Sequence, residues 1–312
     1  MKRAIAMGLL FACGVCAQVT EVATVAIPSG GPMAMTERWA AMACSDKKLH
    51  VWALPEGRMV RSIDLGDRAI DGMAISGDGK WIAVGDHSGG YTVWDTTSGA
   101  AQIELKLPHY PASMAFNSDA KRLAIAPMGE PVQIYELATR KKLFELQSPV
   151  GGTAAVVFSR DGGRIATADA DTVVRVYDAR NGELVSRNTD LLVVPLTAAF
   201  TADGEGVLAG GGDKVIALVD ASTGKAIRRS AKAEDVIAYL ETSPDGTLLA
   251  AVLMHSDNML EPGPLVISEV ATGKTVQEWR PASLMVGGAW TKDGHLLAAT
   301  MEKKALHVWR VR

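Results

Sequence analysis

LHVW is spelled twice in this 312-residue chain, at Leu49–Trp52 and at Leu306–Trp309, almost at opposite ends. Aligning on the final Trp finds degenerate copies between them: YTVW ending at Trp94, VQIY at Tyr135, VRVY at Tyr177, IALV at Val219 and LVIS at Ser268. The successive spacings are 42, 41, 42, 42, 49 and 41 residues, so the chain holds seven copies of one unit. A fixed period of this size marks an array of supersecondary units, each unable to bury its apolar face alone.

A second signal keeps the same step. Two apolar runs flank a turn in AISGDGKWIAV, AFNSDAKRLAI, VFSRDGGRIAT, AFTADGEGVLA, ETSPDGTLLAA and AWTKDGHLLAA, with Asp followed by Gly, or once by Ala120, where the chain must reverse. Asp and Gly tolerate the left-handed backbone of a tight hairpin. A further turn follows each anchor strand, as in TTSGAAQ, ARNGELV and ASTGKAI. Each unit therefore reads strand, turn, strand, loop, strand, turn, strand. Alternation in VRVYD and frequent β-branched residues favour strands, and no long helical stripe is present. Four strands in about 40–45 residues make a propeller blade. The expected fold is all-β, a seven-bladed β-propeller of four-stranded antiparallel blades. Only Arg-Val-Arg follows the second LHVW, so the seventh unit supplies three strands. The N-terminal strand in QVTEVATVAI is expected to complete the last blade, removing an exposed edge and placing the two LHVW segments in neighbouring blades.

On these residues the chain resembles the WD-repeat β-propellers across residues 18–312. VWD ends at Asp95, VYD at Asp178 and LVD at Asp220, and an Asp stands six places ahead of the anchor at Asp46, Asp171 and Asp213. The resemblance implies the fold and says little of the activity. No Gly-His pair precedes any blade, so the buried His-Asp-Ser-Trp network of the family's regular members is expected to be incomplete. Hairpins such as SPDG at Ser243–Gly246 also look like those of bacterial propellers at large, lactonase-like ones included.

The first 17 residues read as a signal peptide: Lys2 and Arg3, an apolar run from Ala4 to Ala17, and small residues Val15 and Ala17 before Gln18. The run is too short for a permanent span, and no integral membrane span is expected. A lipoprotein anchored through Cys13 is the alternative reading of the same leader. Cys13 and Cys16 lie within it, His does not follow CGVC as haem attachment would need, and Cys44 is then the one cysteine outside it, so no intramolecular disulfide is expected. Loss of Lys2 and Arg3 takes the 32 basic residues to 30 against 35 acidic ones, a formal charge of −5. That sign, without a basic stripe, argues against nucleic acid. The expected location is the periplasm or the exterior of a bacterial envelope.

Candidate chemistry is sparse. No Gly-x-Ser-x-Gly and no phosphate-cradling glycine loop occurs. Trp52, Trp94, Tyr135, Tyr177 and Trp309 recur at one place in the repeat and read as packing between blades. His50 and His307 read as equivalent, partly buried structural residues. His87, His109 and His255 fall in loops on one face; only His87 and His109 are near enough in the ring to share a metal, and neither a metal nor a cofactor is expected. The 49-residue spacing places an enlarged loop, LMHSDNMLEPGPL, in the sixth blade, and NTDLLVVPL, from Asn188 to Leu196, is unusually apolar for a connection. Enlarged loops on rigid scaffolds are where binding collects. His109, Tyr110, Asp257, Asn258, Met259 and Leu260 are the expected contacts for a protein partner. The expected function is that of a monomeric, exported, non-enzymatic scaffold that docks another protein on its loop face. The alternatives are a lactonase-like enzyme with its site at the channel mouth and a cell-envelope carbohydrate binder.

Overall fold

The computed structural model describes residues 18–311 apart from 148, 150, 192, 257, 259, 260 and 303, and these form strands and turns with no helix among them. Seven four-stranded antiparallel sheets follow one another. Strand β1 (Val19–Ala26) comes first. Blade 1 comprises β2 (Gly30–Met35), β3 (Trp39–Cys44), β4 (Lys48–Ala53) and β5 (Arg58–Asp64); blade 2, β6 (Ile70–Ile75), β7 (Trp81–Asp86), β8 (Gly90–Asp95) and β9 (Ala101–Lys106). Blade 3 comprises β10 (Pro111–Phe116), β11 (Arg122–Pro127), β12 (Gln133–Glu136) and β13 (Lys141–Glu145); blade 4, β14 (Thr153–Phe158), β15 (Arg164–Asp169), β16 (Val174–Asp178) and β17 (Leu184–Asn188). Blade 5 comprises β18 (Pro195–Phe200), β19 (Gly206–Gly211), β20 (Ile216–Asp220) and β21 (Ala226–Arg229); blade 6, β22 (Val236–Thr242), β23 (Leu248–Met254), β24 (Leu265–Glu269) and β25 (Thr275–Trp279). Blade 7 is β26 (Leu284–Trp290), β27 (Leu296–Glu302), β28 (Ala305–Val311) and, as its outer strand, β1. First strands of successive blades touch, and β2 touches β26, so the ring closes.

Second strands are buried on both faces and lose their alternation, which is why WAAMAC, RIATAD and GVLAGG read as apolar runs rich in small residues. Outer strands keep exposed edges, as in β5 and β17. The pairing of second with third strands is regular in every blade, whereas a bulge interrupts each pairing of first with second strand. Third and fourth strands are likewise bulged, as at Val51/Trp52 and Val176/Tyr177. The β1–β28 pair carries the same irregularity at Glu21/Ala23, so β1 is built as an outer strand like the others. Bulges add local twist, which lets flat ladders become blades.

The closing strand and the seven blades are as the sequence predicts, but the two LHVW segments are out of step. Trp52 lies opposite Ala40, twelve residues back, and Trp94, Tyr135, Tyr177 and Val219 keep the same interval to Ile82, Leu123, Ile165 and Val207. In blade 7 the residue in that place is Val311, opposite Leu296, and Trp309 lies opposite Ala298. The cause is a longer β27–β28 hairpin, whose ladder runs on to Glu302 opposite Ala305. Its LHVW is thereby displaced two residues toward the loop face. Trp52, Trp94, Tyr135 and Tyr177 are buried between blades as expected; Trp309 is half-buried against Trp279, and Val311 takes the core position. His50 and His307 are therefore not equivalent.

Candidate functional site

Loops joining second to third strands, and those joining one blade to the next, leave the ring on the same side. On that face the blade 2–3 connection carries His109 and Tyr110. The Tyr91 hydroxyl donates to the His109 carbonyl at 2.9 Å, and the Met128 amide donates to the Tyr110 carbonyl at 2.9 Å. The His87 ring stacks on Tyr110 with centroids 5.2 Å apart, while its Nδ1 lies 2.9 Å from Asp71. His109 is exposed, 3.7 Å from Glu130. His87, Tyr110 and Met128 thus form one patch, with Met128 exposed. Val193 and Leu196 are exposed on the same face from the blade 4–5 connection and the start of β18, whereas Leu191 of that connection is buried in the core.

The enlarged loop lies where the spacing places it, between β23 and β24. Asn258 Nδ2 donates to the Glu261 carboxylate at 3.0 Å. Asp257, Met259 and Leu260 lie outside the described residues, as do Cys13, Cys16 and the leader. Blades 2 and 6 are not neighbours, so Asn258 and the His109–Tyr110 pair share a face without sharing a patch. His87 faces Asp71, and His109 faces Glu130. His255 turns to Asp235, Nδ1 at 2.7 Å.

The absence of a Gly-His pair ahead of the blades is compensated in blades 2 and 4. In blade 2, Arg68 donates from Nε to Asp86 at 2.7 Å, from Nη1 to the Thr92 hydroxyl at 3.0 Å and from Nη2 to the Gly90 carbonyl at 3.1 Å, and its guanidinium lies 5.7 Å from the centre of the Trp94 ring. Burial acts to raise the Asp86 carboxyl, but donors from Ser88, Gly90 and Arg68 outweigh it and hold the group down at about 2. Blade 4 builds a second hub: Arg175 bonds Asp169 at 2.7 Å and Asp171 at 2.6 Å, and Asp169 also accepts from Thr153 and Thr167. The Asp residues of VWD, VYD and LVD serve the turn instead. Asp95, Asp178 and Asp220 accept backbone N–H groups from the residues that follow them.

The channel holds a group that the sequence reading missed. First strands of blades 3 to 6 line a cavity of about 580 Å³. One column of these strands reads Ala34, Ala74, Ala115, Val157, Ala199 and Ala289 in six blades, and Glu241 in blade 6. The Tyr239 hydroxyl donates to Glu241 Oε2 at 2.7 Å and approaches the Gly288 carbonyl of blade 7 at 3.2 Å. Burial pushes Glu241 up to about 7, while Tyr239 and the positive charge of Arg160 pull the other way. Aligning the six hairpin motifs exposes this column, since ETS stands where the other blades have AIS, AFN, VFS, AFT and AWT.

Residues 141–178 match the family model for the WD domain, G-beta repeat. The match runs from the start of β13 to the end of β16, so one sequence repeat takes the outer strand of blade 3 and the first three strands of blade 4. A comparison with curated proteins finds no match. This match to one G-beta repeat, within a closed ring of seven four-stranded blades, supports a WD-repeat β-propeller.

Proposed function

We propose that the chain is an exported, non-enzymatic scaffold that docks a protein partner on the loop face of blades 2 to 5. The observation that carries this reading is the patch of His87, Tyr110 and Met128, continued on the same face by exposed Val193 and Leu196. Aromatic and Met side chains on a preformed surface are the usual anchors of an interface, because they lose little conformational freedom per area buried. His109 and the enlarged loop with Asn258 extend the same face. Tyr110→Ala combined with Met128→Asp is expected to abolish capture of the partner from envelope extract with thermal unfolding unchanged. Capture that survives both substitutions removes the patch from consideration, and capture that survives deletion of 257–261 removes the loop. Export is tested by the N-terminal residue of the processed protein, expected at Gln18.

A second reading is favoured by Glu241 alone. A carboxyl titrating near neutrality in a channel, held by a tyrosine hydroxyl, suits acid–base chemistry on a small ester or lactone. A hydrolase screen in which activity disappears with Glu241→Gln would establish it.

A further inference from the structure

Blade 1 repeats the plan of the blade 4 hub with different chemistry. Asp169, Asp171 and Arg175 occupy the end of the second strand, the following turn and the third strand of blade 4; by register their counterparts in blade 1 are Cys44, Asp46 and His50. In blade 4 a guanidinium satisfies both carboxylates. In blade 2 the acid at the position of Cys44 is Asp86, and Arg68 again supplies the cation. Blade 1 has neither guanidinium. It has instead a thiol, a carboxylate and an imidazole whose ligand atoms all lie within 4.8 Å of one another, the one such group of three among the described residues.

We propose that Cys44, Asp46 and His50 bind a thiophilic first-row dication of the zinc type, which takes the place that a guanidinium holds in blades 2 and 4. Sulfur, nitrogen and carboxylate oxygen together are a donor set for such an ion. Tetrahedral ligation at about 2.0–2.3 Å separates ligand atoms by roughly 3.3–3.8 Å, so small side-chain rotations close the site. An independent observation points the same way. His50 is 6% exposed, its Nε2 lies 2.9 Å from Asp46, and its Nδ1 is buried with no hydrogen-bond partner among the described residues. A buried imidazole nitrogen without a partner is costly, and the imidazole is left with unmet ligand capacity. Access is provided by a cavity of about 330 Å³ lined by Asp46 and His50 together with Ala26, Ile27, Pro28 and Trp52, at the seam where the closing strand leads into blade 1. The site does not depend on the docking face or on the channel carboxyl.

The test uses the full chain carrying Cys13→Ser and Cys16→Ser, in which Cys44 is the sole thiol of the original three. Titration with Co²⁺ is expected to saturate at one equivalent with a thiolate-to-cobalt charge-transfer band in the near ultraviolet, and Zn²⁺ is expected to displace it. Cys44→Ser should abolish the band, and His50→Gln should weaken Co²⁺ binding about tenfold or more. No band at saturating Co²⁺, or undiminished binding by His50→Gln, overturns the proposal and leaves a purely hydrogen-bonded cluster. Should Cys44→Ser fail to fold, the thermal midpoint decides. Zn²⁺ is expected to raise it in the parent and not in Asp46→Asn with His50→Gln, and an equal rise in both overturns the site.

Discussion

Glu241 stands in a column where the six other blades carry Ala or Val, and the protein bears the cost of keeping a carboxyl there. Its folded value of about 7 lies above its ordinary 4.5, so the folded chain holds a proton that the unfolded chain releases. Stability contributed by that proton is complete below pH 4.5 and is lost as pH rises through 7. The channel leaves part of the side chain within reach of water, which reduces the full effect to about 2 kcal/mol. Glu241→Gln is therefore expected to unfold at nearly the parent's midpoint at pH 4.5 and well above it at pH 8, read from thermal unfolding at the two pH values. Arg68 answers the opposite problem. Arg68→Ala would leave Asp86 buried beside Thr92 with no counter-charge, and a loss of about 3–5 kcal/mol is expected in urea unfolding at pH 7. Sequence reasoning noticed the missing Gly-His pairs but could not see Arg68, because a basic residue in a blade-to-blade connection carries no motif.

Strand β1 shows how an element can be specified by partners nearly 290 residues away. Thr24 lies opposite His307 and Val25 opposite Leu306, and Val25 is buried in the cluster that joins blade 7 to blade 1. Val25→Asp would place an unpaired carboxylate in that cluster. A loss of about 3 kcal/mol or more is expected, with early elastase cleavage after the Val and Ala residues of β1 as the strand detaches. Turns are as demanding as strands. Gly224 has φ of +73°, and a Cβ there would lie 2.1 Å from the Arg187 carbonyl oxygen. Gly224→Ala is expected to cost about 1–3 kcal/mol in the same unfolding assay, since both the backbone conformation and the contact resist it. The turn glycines were visible as Asp-Gly and Thr-Gly pairs long before their geometry was known. The lengthened β27–β28 hairpin was not, because its extra rungs are spelled with ordinary strand residues and the repeated LHVW invited the wrong alignment.

At the scale of the ring, blades 6 and 7 are stitched by two side chains. The Tyr239 hydroxyl, which donates to Glu241, lies 3.2 Å from the Gly288 carbonyl, and Trp290 Nε1 donates to the Glu241 carbonyl at 3.0 Å. Tyr239→Phe is expected to cost about 1–2 kcal/mol and to speed amide hydrogen exchange in β22 and β26 ahead of the other first strands. The architecture was legible because periodicity is a property of the whole chain: seven anchors and their turns gave blade number, strand count and the closing strand. The sites were far less so. Cys44, Asp46 and His50 stand within seven residues, yet only the pleat, which brings them to one side of a hairpin, makes them a cluster. Tyr110 and His109 were found by loop position, while their companions His87 and Met128 belong to other loops and meet them only in three dimensions. The pairing of β1 with β28 also sets a schedule for biosynthesis. Strand β1 finds its partner only when β28 has been translated, so a growing chain can finish six sheets and still remain an open arc with a sticky end. A premature stop near the terminus would release such an arc whole, and quality control would meet it as a nearly complete molecule with nothing to lock it.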